Sequence, residues 1–96
     1  MARYVTLIRF TEKGAREIKK STERARAFDD AAEKAGVRIE GQYWTLGAYD
    51  GLLIMSADNS EKALHCLTEL AAGGAVRTET LPAFDAKQFE AIAGKM

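Results

Sequence analysis

Two hydrophobic periods alternate along this chain, and the points where one gives way to the other mark out its elements. Arg3–Phe10 has the period of two expected of a strand, with Tyr4, Ile8 and Phe10 on one face and Val5 and Leu7 on the other. Thr11 is placed to cap a short helical turn starting at Glu12, and Ser21 to cap a longer helix running to Ala35. Along that helix Ser21, Ala25, Phe28, Ala32 and Ala35 share one side, a narrow stripe of mostly small residues opposite a charged face. Gly36 ends it. Val37–Leu46 and Leu52–Ala57 return to the strand period and predict a hairpin around a turn at Gly47.

Helical spacing resumes at Asp58, with Glu61 as its capping-box partner, and Ala63, Leu64, Leu67, Leu70 and Ala71 form the apolar stripe. Gly73-Gly74 stops this helix, and Ala75–Leu81 reads as a fourth strand with Pro82 at its end. Asp85 and Gln88 make a second capping box, flanked by Phe84 and Phe89 at the staple positions of a short last helix to about Ala93. The predicted order is β-α-β-β-α-β plus a tail helix, the ferredoxin-like arrangement of an α+β sandwich in a single domain over residues 1–96.

In this topology right-handed crossovers place both main helices on one face of the sheet. The first and third strands are nevertheless apolar on both faces: Leu52 and Ile54 point one way, Leu53 and Met55 the other. An open apolar face of that kind invites a cover, and a second copy of the same face supplies one, so a homo-oligomer is expected, at least a dimer. The alternative is a monomer whose tail helix folds across the open face.

Composition narrows the function classes. The chain has 96 residues, 47% hydrophobic and 29% charged, as in an ordinary globular protein. Fourteen basic residues balance fourteen acidic ones, which argues against nucleic acid or an anionic bilayer as partner. Cys66 is the only cysteine and excludes an internal disulfide. No stretch approaches the roughly eighteen apolar residues of a membrane helix, and a cytoplasmic location is the default expectation. His65 and Cys66 offer at most two metal ligands with no third Cys or His, so neither a metal site nor a cofactor is expected. His65 falls off the Leu67/Leu70 stripe and is read as surface, and Cys66 as a small hydrophobe.

The most informative stretch is Gln42–Gly51, read Q-Y-W-T-L-G-A-Y-D-G, with the only Trp and two of the three Tyr. Together with V-R-T-E-T-L-P-A-F at Val76–Phe84 it resembles the GYD family, over about Tyr4–Phe89. The signature residues are Tyr43, Trp44, Thr45, Gly47, Tyr49 and Asp50. Gly51 departs from the resemblance where a β-branched residue is more usual, and Thr22 where Pro is frequent. The resemblance implies a dimeric α+β barrel type of fold and no particular reaction.

Two readings of the signature follow. In one, Gly47 and Asp50 fix a hairpin turn, and the aromatics pack into a subunit contact. In the other, Tyr43, Trp44 and Tyr49 line a cleft for a small molecule, with Asp50 and Arg77 as its polar groups. Tyr43 and Trp44 alternate across the strand, so at most one of them faces the helices. The chain contains no Ser-His-Asp or Cys-His set. An oligomeric ligand-binding or assembly module without chemistry of its own is therefore the leading expectation. The alternative is a cofactor-independent isomerase or oxygenase acting on an aromatic or quinone-like compound, with Asp50 as base; it rests on fold analogy alone.

Overall fold

The computed structural model describes residues 1–96. Its order is β1 (Ala2–Phe10), α1 (Glu12–Arg16), a 3-10 turn (Ile18–Lys20), α2 (Ser21–Lys34), β2 (Arg38–Trp44), β3 (Gly51–Ala57), α3 (Ser60–Ala72), β4 (Val76–Ala83) and α4 (Ala86–Ala93). The four strands form one antiparallel sheet in the order β2-β3-β1-β4. That is the ferredoxin-like α+β arrangement the periodicity predicts, and the tail helix is present as α4.

The core lies between the sheet and the two long helices. Tyr4 from β1, Leu53, Met55 and Ala57 from β3, Phe28 and Ala32 from α2, and Ala63 and Cys66 from α3 form its buried cluster with Val37. Polar groups inside it are satisfied: the fully buried Thr6 hydroxyl bonds the Thr80 hydroxyl at 2.9 Å, and the Tyr4 hydroxyl bonds Ser60 at 2.8 Å. The core is thin for the chain, since 14 of 96 residues are buried. The Cα radius of gyration of 14.4 Å exceeds the roughly 12.5 Å expected for this length.

Helix ends follow local chemistry, with three departures from expectation. Thr11 caps α1 by accepting from Gly14 N–H, and Asp85 and Gln88 form the complete capping box of α4. Ser21, expected to cap α2, is instead its first helical residue, and its hydroxyl accepts from the Trp44 indole. Asn59 caps α3 in place of Asp58, accepting from Lys62 N–H at 3.0 Å, and the helix starts later accordingly. On α3 the buried positions are Ala63 and Cys66, while Leu64 of the expected stripe is exposed, because the helix is rotated to put the small residues against the sheet.

β2 ends at Trp44, two residues earlier than its pattern suggests, and Leu46 stands fully in solvent. The hairpin loop is closed by Thr45 N–H donating to the Asp50 carbonyl at 3.0 Å, and Gly47 takes φ of 100° between them. Gly51, the departure from the family pattern, opens β3 as a buried residue opposite Trp44 and Ile8. A Cβ there would lie 3.2 Å from the Tyr43 carbonyl oxygen, closer than ordinary packing, so the small residue suits the tight strand contact.

β2 carries a bulge between Ile39 and Gly41, with Glu40 as the extra residue. Strict alternation from Ile39, which faces the helices, would send Tyr43 inward. The bulge reverses this: Tyr43 pairs with Leu52 on the open face and Trp44 turns toward the helices.

Candidate functional site

The signature residues divide between two surfaces on opposite sides of the sheet. The first is a cleft of 340 Å³ between the sheet and the helices. The core cluster fills one end of the sandwich; toward the ends of β1 and β2 the helix layer presents Ser21 and Ala25, and no side chain fills the gap. Ile8, Phe10 and Leu53 floor the cleft, Ala25 and Phe28 roof it, and Trp44, Gln42 and Asp50 stand along its side.

Each polar group on that side is anchored. The Trp44 indole N–H donates to Ser21 Oγ at 2.9 Å, a strut from the end of β2 to the start of α2 that leaves the ring 48% exposed. Gln42 Nε2 donates to Asp29 at 3.1 Å. Burial pushes the Asp29 carboxyl above its usual range, and the Gln42 hydrogen bond opposes that shift in part. Arg24, also on the cleft wall, is ion-paired to Glu17.

Asp50 ties three segments together. Its Oδ2 accepts from Phe10 N–H at 2.8 Å, its own N–H donates to the Ile8 carbonyl at 2.8 Å, and its carbonyl closes the hairpin loop. The carboxylate therefore satisfies the last free donor of β1 rather than the turn or Arg77. Its Oδ1 has no protein hydrogen bond and is not buried, and Asp50 is one of the residues that line the cleft.

The second surface is the open face of the sheet, where Val5 and Leu7 of β1, Leu52 and Ile54 of β3, Tyr43 of β2 and Leu81 of β4 lie side by side. Polar groups frame this stripe. Arg3 Nε donates to Glu40 Oε1 at 2.9 Å, which holds the Glu40 carboxyl below its usual range. The Arg9 guanidinium lies 4.7 Å from the centre of the Tyr49 ring, and the Tyr49 hydroxyl donates to Glu79 Oε2 at 3.3 Å. Arg77 faces Arg9 across β1–β4 and is exposed. Of the five expected ligand residues, then, Trp44, Asp50 and Tyr43 border the cleft, with Tyr43 at its rim, whereas Tyr49 and Arg77 belong to the opposite face.

Sequence reasoning missed Ser21, Gln42, Arg24 and Phe28 as cleft residues. None of them is announced by the sequence: strict alternation from Ile39 puts Gln42 on the open face and the bulge alone turns it inward, while Ser21, Arg24 and Phe28 reach the cleft through tertiary packing. α4 is not packed across the open face: Phe89 remains 64% exposed, and Phe84 and Ile92 are also exposed. His65 is exposed and pairs with Glu69 at 3.1 Å, while Cys66 is buried with its thiol pKa pushed up by desolvation. No helix is long and apolar enough to cross a membrane.

A two-layer ferredoxin-like sandwich with an apolar cleft under its helices and an uncovered sheet face defines the class, a small α+β domain. The chain belongs to the GYD domain family, whose model matches residues 4–93. It is 32% identical over 84 residues to a protein of Thermus thermophilus named "Glutamine synthetase and cystathionine beta-lyase binding protein", covering 86% of this chain and 88% of that one. A crystal structure of a protein from Thermus thermophilus matches with a TM-score of 0.58 at 25% identity, covering 90% of this chain and 96% of the other.

Proposed function

We propose that this chain is a small homo-oligomeric binding module without chemistry of its own. The open sheet face seats a second copy, and the assembled particle presents its remaining surface to partner proteins. The observation that carries this reading is the stripe Val5, Leu7, Leu52, Ile54, Tyr43 and Leu81, contributed by all four strands and covered by nothing within the chain. A continuous apolar face over a core this thin makes self-association the natural source of further burial. The Thermus relative's name supports protein partners, since that protein is named for binding glutamine synthetase and cystathionine beta-lyase.

The isomerase or oxygenase reading keeps one supporting observation, an Asp50 carboxylate that lines the cleft with one oxygen free of protein hydrogen bonds. Against it, the other oxygen of the same carboxylate holds the β1 backbone, so the group is committed to structure.

Sedimentation at micromolar concentration tests the assembly. The expected species has at least twice the 10.5 kDa mass of the chain. Leu7→Glu with Ile54→Lys places charges in the middle of the stripe and is expected to give a folded monomer by sedimentation and circular dichroism. A wild-type protein that sediments as a single chain would overturn the reading.

A further inference from the structure

We propose that the helix-side cleft is a binding site for a small planar aromatic amine, held flat against Trp44 with its ammonium group at Asp50. This goes beyond the assembly reading and does not depend on it, because the cleft lies on the other side of the sheet from the open face.

The cleft is built rather than left over. Its aromatic wall, Trp44, is fixed in place before any ligand arrives, because Ser21 holds the indole N–H at 2.9 Å. Trp44 is 48% exposed and lines the apolar hollow, so it offers aromatic surface to a ligand. The hollow is floored by Ile8, Phe10 and Leu53 and closed above by Phe28 and Ala25. Its 340 Å³ correspond to about eleven water molecules at roughly 30 Å³ each, and fall within the size range of small-molecule sites. A one- or two-ring compound fits that space, and a flat one fits a gap between a sheet and a helix.

The polar groups select the charge. Asp50 Oδ1 makes no protein hydrogen bond, and Gln42 uses only its Nε2 toward Asp29, which leaves its Oε1 to accept. Glu69 also lines the cleft, with its Oε1 paired to His65. The one cation there, Arg24, is already paired with Glu17. The site thus offers acceptors and negative charge and no free donor of positive charge, so it favours an ammonium group and disfavours a carboxylate. Preorganised side chains also reduce the ordering cost on binding.

The test uses two probes of equal size and opposite charge, phenethylamine and phenylacetate, titrated at neutral pH into the full chain. Trp44 is the only Trp, so its indole N–H is a unique reporter in 1H–15N spectra. Phenethylamine is expected to shift that signal and the Phe10 amide saturably, at least tenfold more tightly than phenylacetate. Ala25→Leu fills the hollow and is expected to abolish the saturable shift with the oligomeric state unchanged. Equal affinity for the two probes, no saturable shift with the amine, or wild-type binding by folded Ala25→Leu would each overturn the proposal. If Ala25→Leu does not fold, the comparison of the two probes in the wild-type protein decides alone. Sedimentation of the same samples separates this outcome from failure of the assembly reading.

Discussion

Gly14 shows how much a single hydrogen in place of a methyl can matter. It is buried in α1, and a Cβ there would overlap the Ala75 carbonyl oxygen at the start of β4. The same junction is held by Thr11 N–H to Ala75 O at 3.0 Å and by Lys13 Nζ to Gly73 O at 3.0 Å. Gly14→Ala is therefore expected to destabilise the fold by roughly 1–3 kcal/mol through overpacking against backbone, measured by urea unfolding. At the opposite edge of the open face, the Arg3 guanidinium favours the charged form of Glu40. Because the folded pKa of Glu40 lies below its unfolded value, this contribution is complete above about pH 4.5. It fades as the pH falls through the lowered folded value. Carboxyl titration by NMR should show Glu40 returning to the ordinary range in Arg3→Met. Residues of this kind divide sharply in how far the sequence announces them. The position of Asp50 after a turn suggests the turn N–H groups or a cation such as Arg77 as its partner; that the partner is the Phe10 amide, forty residues earlier, is a product of strand order alone.

Among the elements, the strands were readable from alternation because burial on a sheet has a strict period of two. The exception is the far half of β2. One extra residue, Glu40, shifts the register and exchanges the faces of Tyr43 and Trp44, and its one local mark is Gly41, a glycine inside a strand pattern. The same shift explains why a cleft of Tyr43, Trp44 and Tyr49 together does not form: adjacent strand residues must part, and Tyr49 follows Tyr43 to the open face. The α4 capping box was legible for the opposite reason, since its partners are three residues apart. Because α4 stands clear of the core, Asp85→Ala should cost about 1 kcal/mol of helix formation locally. Faster amide exchange confined to residues 86–93, with the global melt hardly moved, is the expected signature.

For the whole molecule, the two-sided apolar character of β1 and β3 was the feature that pointed beyond the single chain. The structure supplies its geometry: the slab is only 17 Å along its thinnest axis, with one face under helices and the other bare. A layer so thin buries too little to be generous in stability, so the state of assembly should govern the melting temperature. Raising the concentration tenfold is expected to raise the melting midpoint of the wild-type protein and to leave that of Leu7→Glu with Ile54→Lys unchanged.

The rims of the slab have a consequence of another kind. β2 and β4 are its outermost strands; the first is kinked by the Ile39/Gly41 irregularity, and the second contains Pro82, which has no N–H to offer. Neither border is a good template for another β-strand, so lateral growth into filaments is discouraged at both ends. Association through the broad open side, as proposed above, would use that side up and set a limit to growth. Replacing Pro82 with a residue that has an N–H should make the protein seed fibrils while leaving the cleft residues in place.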